Sequence, residues 1–210
     1  MIVQGSPEWL ALRVGKVTAS RMADLTARTK TGYGAGRANY MAELVVERLT
    51  GCSTPSFTND AMRWGTDNEP LARASYAAAH GCVVVETSFV DHPEIAMSGA
   101  SPDGLIGDDG LVEIKCPQSA THLDTLLTGA VPDKYVKQMQ WQMACLGRDW
   151  CDFASFDPRM PPSMRLFVTR IERDVSLILD LESEVTAFLA ELDAKVAKLR
   201  ETYEPDRAAA

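Results

Sequence analysis

The sequence predicts an α/β (α+β) fold: a central mixed β-sheet flanked by helices, with one long C-terminal helix. Three observations carry this reading. Apolar, β-branched runs at 82–90 and on both sides of Gly107-Asp108-Asp109-Gly110 read as strands and a tight turn. Residues 132–146 have proline at their start and glycine after their end, the punctuation of a helix. From Ile178 to Tyr203 apolar residues recur at steps of three and four, a helical stripe.

The elements follow in order. Residues 13–37 hold six basic side chains (Arg13, Lys16, Arg21, Arg28, Lys30, Arg37) against the single acid Asp24. Such a run reads either as an ordinary solvated face or, in an otherwise acidic chain, as a surface that meets phosphate. Within it the Gly-rich stretch 29–37 reads as a mobile loop. Asn39 is placed to cap a helix over 40–49 that stops at Gly51. Thr66 is placed to cap a second helix, with Glu69 in its first turn, ending near Gly81. A strand over 82–90 follows, then a hairpin of 94–106 with 111–116. The helix 132–146 precedes two strands, 150–156 and 164–171, around a Pro-rich loop. The final helix, 176–203, packs its stripe on the sheet, and 204–210 frays. This mixed order fits one domain over 1–210.

Composition narrows the classes. At 210 residues, 46% hydrophobic and 24% charged, the chain can fill one core and is not intrinsically disordered. A net charge of −8 speaks against nonspecific coating of nucleic acid, but not against an enzyme with a local basic patch. No apolar run spans a bilayer, and the N-terminus lacks the pattern of a secretory signal. The five cysteines are scattered, with no CxxC pair. They read as free thiols in a reducing, cytoplasmic setting, and speak against a disulfide framework, a structural zinc site and an iron–sulfur cluster.

Chemistry concentrates in Ser101-Pro102-Asp103-Gly104 and Leu111-Val112-Glu113-Ile114-Lys115-Cys116. On a strand Glu113 and Lys115 share one face, while Val112, Ile114 and Cys116 share the other. The hairpin brings Asp103 beside Glu113. Two adjacent carboxylates repel unless a cation intervenes, and a hard divalent metal with oxygen ligands resolves the conflict. Lys115 would then serve a nucleophilic water, an arrangement suited to phosphodiester hydrolysis. The alternative is a surface hairpin carrying a common Glu/Lys pair. By itself Glu69 reads as a helix-terminus acid held by the helix dipole, or as a third carboxylate for a second metal. Tyr135, Gln138 and Gln142 share a helix face that by itself reads as solvated or, since buried amides need partners, as one that meets polar structure or lines a groove, with Gln140 pointing elsewhere.

Taken together, WLALRVGKVTAS, WGTDNEP, SPDGL, LVEIKCP, YVKQMQWQM and FDPRM, spread over residues 9–170, resemble the phage lambda exonuclease family. These YqaJ-like viral recombinases belong to the PD-(D/E)xK nuclease superfamily. The resemblance implies a restriction-endonuclease-like core. It also implies a 5′→3′ exonuclease that degrades one strand of linear duplex DNA to mononucleotides and leaves 3′ overhangs for recombination by strand annealing. It implies two Mg²⁺ ions, with Mn²⁺ able to substitute, a ring-shaped homotrimer and a single-strand annealing protein as partner. Residue by residue, it makes Asp103 the carboxylate bridging both metals, Glu113 and the Ile114 carbonyl ligands of one, and Glu69 a ligand of the other. Lys115 becomes the residue that activates water. Arg13, Ser20, Ser101 and Gln138 become a 5′-phosphate pocket. Arg28, Lys30 and Arg37 remain candidates for the DNA path. An endonuclease of the same superfamily and a non-catalytic DNA-end-binding protein are the alternatives.

Overall fold

The computed structural model describes residues 2–54 and 59–204. Its core sheet has five strands in the order β10 (Leu166–Glu172), β9 (Trp150–Phe156), β8 (Gly110–Lys115), β7 (Gly104–Ile106), β4 (Val84–Val85). Only β8 and β9 run parallel; the other pairs are antiparallel, so the sheet is mixed, as expected. The parallel pair requires a crossover, which α5 (Ser119–Thr128) and α6 (Asp133–Leu146) supply. A second sheet joins β1 (Val17–Thr18), β6 (Ser98–Ala100) and β5 (Val90–Asp91). A Cβ on Gly99 would lie 2.4 Å from the carbonyl oxygen of Val90, so glycine lets β6 approach β5.

Strand alternation sorts the core sheet into two apolar faces. Val112, Ile114 and Cys116 face Ala72 and Tyr76 of α4 (Asp60–His80), together with Ala154 and Phe156. Leu111, Cys151 and Phe153 face Met139 and Met143 of α6. Helix α6 is therefore enclosed, because its Trp141 and Cys145 join a further cluster with α3 (Ala35–Thr50) and α7 (Val175–Tyr203). That cluster corrects one expectation. The stripe of α7, including Ile178, Leu181, Val185, Phe188 and Leu192, packs on helices α3 and α6 and on the segment around Met22, not on the sheet.

Other boundaries differ for physical reasons. The 29–37 stretch is not an open loop: β2 (Arg28–Thr29) and β3 (Gly32–Tyr33) form a hairpin, and α3 starts at once behind Gly34. Asn39 lies inside that helix. The Arg37 pair with Glu191, 2.7 Å apart, holds the early first turn against α7. Likewise α4 begins at Asp60, capped by Asn59, whose Oδ1 accepts from Met62 N. Thr66 sits within it, its hydroxyl donating to Met62 O, so Glu69 is no helix-terminus acid. The run 82–90 is split between two sheets, as is 94–106, because each ladder claims only two or three residues. The final strand starts two residues later than expected, behind a 3₁₀ turn at Pro162–Met164. Of the tail, residues 205–210 lie outside the described residues. All five cysteines are free thiols. Among the described residues no helix is long and apolar enough to cross a membrane.

Candidate active site

The site is built on the β7–β8 hairpin. Gly104 pairs with Val112, which leaves Asp103 just beyond the ladder, opposite Glu113. Asp103 Oδ2 accepts a hydrogen bond from Ile114 N at 2.6 Å. Glu113 and Lys115 share a face of β8, as alternation requires, and form an ion pair. Glu113 is only 1% exposed, and α6 supplies its other partners. Gln138 Nε2 donates to Oε1 and Gln142 Nε2 to Oε2, each at 2.6 Å. The glutamine face of α6 is thus buried against a carboxylate rather than solvated. Gln140 does point elsewhere: its amide bridges the Glu172 carbonyl and the Asp174 N–H.

Glu69 approaches from α4. One helical turn on, Arg73 donates to Glu69 Oε1 at 2.5 Å, to Glu86 Oε1 at 2.8 Å and to the backbone carbonyl of Asp103 at 3.2 Å. Arg73 therefore ties the third acid to the hairpin. Sequence reasoning passed over it, although its i,i+4 spacing from Glu69 is a readable signal.

Electrostatics set Asp103 apart. Glu113 has Lys115 and Glu69 has Arg73, whereas Asp103 makes no ion pair among the described residues. Burial, reinforced by the carboxylates of Glu113 and Glu69, pushes its carboxyl well above the usual carboxylate range. Burial also raises Glu69. Burial alone would lower Lys115, but Glu113 and Asp103 together outweigh it and hold the ammonium cationic. Oxygen-only donors and an under-compensated acid fit a hard divalent cation in chemistry. They do not yet close on one point: among the described residues no three His, Cys, Asp or Glu side chains stand positioned to hold an ion together.

A cavity of about 190 Å³ opens beside these acids. Asp103, Glu113, Lys115 and Gln138 line it together with Arg13, Ser20 and Ser101. Glu69 is not among its walls. Arg13 ends α1 (Pro7–Arg13), and its guanidinium carbon lies 3.8 Å from the centroid of the Trp9 ring. Its Nε is buried without a hydrogen-bond partner, Arg13 makes no ion pair among the described residues, and burial lowers its pKa despite the carboxylates of Glu47 and Glu43. The Trp9 indole N–H donates to Ser101 Oγ at 3.0 Å. Gln4 spans the Thr87 and Pro102 carbonyls at 3.1 and 2.9 Å and also lines the cavity. Trp9 and Gln4 were not singled out from sequence, because their partners lie more than eighty positions away.

The basic segment is largely spent within the molecule. Lys16 pairs with Asp91, Arg21 with Asp24 and Glu43, and Arg28 with Glu184. Arg37 is 8% exposed, paired with Glu191 and stacked on Tyr33. Those contacts give Arg37 a packing role in the α3–α7 contact. Lys30 is exposed. A mostly apolar groove of about 870 Å³ runs between α3 and α7, with Arg37, Glu191, Lys195 and Lys198 on its walls, and none of Glu69, Asp103 or Glu113 lines it.

Comparison with known proteins adds the family context. Residues 8–149 match the YqaJ-like viral recombinase domain. No curated protein matches the chain. Among solved structures, the chain is similar to an alkaline exonuclease (LHK-Exo) from Laribacter hongkongensis, at 54% identity over 95% of this chain and 99% of that one, with a TM-score of 0.89. LHK-Exo in complex with dAMP matches with the same identity and coverage and a TM-score of 0.90. A phage-related exonuclease from Haemophilus somnus 129PT shares the fold at 16% identity, over 88% of this chain and 96% of that one, with a TM-score of 0.68.

Proposed function

The chain belongs to the YqaJ-like viral recombinase family, and from that membership we propose that it is a divalent-metal-dependent 5′→3′ exonuclease. It degrades one strand of linear duplex DNA to mononucleotides and leaves 3′ overhangs for recombination by strand annealing. The observation that carries this reading is the single cavity shared by Asp103, Glu113, Lys115 and by Arg13, Ser20, Ser101, Gln138. One cavity with an acid cluster for hydrolysis and an unpaired arginine for a phosphate suits an enzyme that starts at a phosphorylated end.

Asp103, Glu113 and the Ile114 carbonyl would hold one Mg²⁺, and Asp103 with Glu69 a second; Mn²⁺ would substitute. Bound there, the metal would stabilise charge on the scissile phosphate and lower the pKa of its water. The chain's own residues supply the rest. Lys115, kept cationic by Glu113 and Asp103, orients the attacking water and stabilises it as hydroxide. Arg13, on the cavity wall and stacked on Trp9, can grip the 5′-phosphate in two places. Ser101 Oγ already accepts from Trp9, so its own hydrogen is available to donate to the phosphate. Ser20 adds a second hydroxyl. The family resemblance extends the proposal to a homotrimeric ring, an annealing partner protein and a cytoplasmic site of action.

The test is digestion of a linear duplex with one 5′-phosphate end and one 5′-hydroxyl end, each strand labelled at its 3′ end, beside a closed circle of the same sequence. Mononucleotides released from the phosphorylated end, with the circle intact, are expected. A cut circle would make the protein an endonuclease instead, and end binding without cleavage would make it a non-catalytic end-binding protein.

A further inference from the structure

Glu113 is held on both oxygens by one face of α6. Gln138 and Gln142 stand one helical turn apart and deliver one amide N–H each, at 2.6 Å, to Oε1 and Oε2. The family resemblance gives Gln138 a place at the 5′-phosphate and leaves Gln142 with none. Gln142 is fully buried, at 0% exposure, and does not line the cavity, so it does not touch substrate. Its other end faces Cys151: the thiol Sγ lies 4.0 Å from Oε1. A carboxylate accepts only and a thiol donates, so these two neighbours fix the amide with its nitrogen toward Glu113.

We propose that Gln142 is a positioning residue for the metal centre, pinning Oε2 of Glu113 so that the carboxylate keeps one orientation when Gln138 leaves Oε1 for the 5′-phosphate. This rests on the reading of Glu113 as a metal ligand. Once Gln138 leaves, Lys115 still holds Oε1, but with Oε2 unheld the carboxylate would swing about its terminal torsion, which is broad and soft. One that keeps its donor on Oε2 presents the same lone pairs to the ion in every cycle. Partners that orient a metal ligand are typically worth ~10–100-fold in metal affinity. The two glutamines thus divide their work: Gln138 connects the phosphate pocket to the acid cluster, and Gln142 keeps that cluster in place.

The experiment is a Mn²⁺ titration of the intact protein without DNA, read by the paramagnetic resonance of free Mn²⁺. Wild type, Gln142→Met and Gln138→Met are compared after thermal melts establish that each is folded. Methionine keeps the length of the side chain and removes the donor. Wild type should bind Mn²⁺, and Gln142→Met should bind about tenfold or more weakly. Gln142→Met should also keep the wild-type preference for 5′-phosphorylated over 5′-hydroxyl ends, which Gln138→Met should lose. Wild-type Mn²⁺ affinity in folded Gln142→Met, or loss of its end preference, overturns the proposal. Absence of Mn²⁺ binding in wild type overturns the metal reading itself and this inference with it. If Gln142→Met does not fold, Gln142→Asn answers the same question, because its amide is one methylene too short for Oε2 while its polarity is retained.

Discussion

The indole N–H of Trp9 donates to Ser101 Oγ at 3.0 Å, across 92 positions of sequence. The face of the same ring carries the Arg13 guanidinium, so one side chain orients two of the proposed phosphate anchors. Trp9→Phe keeps the face and removes the N–H. It should reduce the preference for 5′-phosphorylated ends about fivefold, the value of one hydrogen bond of ~1 kcal/mol. Trp9→Leu removes the cation–π contact as well and should reduce it further. The ratio of digestion rates from phosphorylated and hydroxyl ends measures this; an unchanged ratio in both variants removes Trp9 from the pocket.

Asp103→Asn should abolish cleavage and yet stabilise the metal-free protein. The folded state raises the carboxyl well above its unfolded value. Its ionisation therefore costs stability, increasingly as pH rises from the unfolded value toward the raised folded one. Asparagine carries no such cost and can still accept from Ile114 N. A rise in Tm of about 2–4 °C at pH 8, corresponding to ~1 kcal/mol in a chain of this size, is expected. Mg²⁺ should stabilise wild type and not the variant. Melting curves of both, with Mg²⁺ and with EDTA, decide it. Unfolding of wild type by EDTA alone would mean that the metal is structural.

Lys115→Ala should lower the cleavage rate by about 100-fold or more, the usual contribution of a cation or donor aimed at a developing anion, while DNA ends are still bound. Single-turnover digestion beside an end-binding assay separates the two, and an unaltered rate refutes the role given to Lys115.

Stability should also depend on acid pH through Asp157. The Arg159 guanidinium, helped against burial by the Ser119 hydroxyl and the Arg159 N–H, holds its carboxyl at about 2. A depressed carboxyl stabilises the fold above its unfolded value and loses that contribution as pH falls from about 4 through about 2. Asp157→Asn should cost about 2 kcal/mol at pH 7, and the gap to wild type should narrow over that acid interval. Urea unfolding at pH 7 and near pH 3 tests the sign; a gap independent of pH would assign the loss to packing.

Arg37→Ala should destabilise the fold by about 1–2 kcal/mol, because Arg37 is buried against the half-exposed Glu191. Lys30→Ala should leave stability unchanged and reduce the salt dependence of DNA binding by about one counterion. Denaturation and binding at several salt concentrations check both. Weaker DNA binding in a fully stable Arg37→Ala protein would place that residue on the DNA path.

Much of the hairpin was legible because its rules are local. A Gly-Asp-Asp-Gly turn and strand alternation put Asp103 beside Glu113 and Glu113 with Lys115, and the register and the ion pair of the structure have both. Helix starts were less legible. Thr66 and Asn39 are acceptable caps in isolation, but Asn59 and the early first turn behind Gly34 take those roles, since tertiary contacts support longer helices than capping preference alone indicates. The amides of α6 were read as solvated because periodicity reports which residues share a face, not what that face meets.

The sequence by itself determined the mixed α/β plan, the acid–acid–lysine spacing and the order of the motif blocks. Each depends on backbone geometry over a few residues. Only the tertiary structure decided how charge is compensated: Arg73 on Glu69, two glutamines on Glu113, Arg13 left with an unpartnered Nε, and most of the basic segment neutralised by acids of other elements. Most of those partners are tens of residues apart in the chain. Their pairing follows from how α4 and α6 pack on opposite faces of one sheet and how α7 covers α3, and no local spacing encodes that.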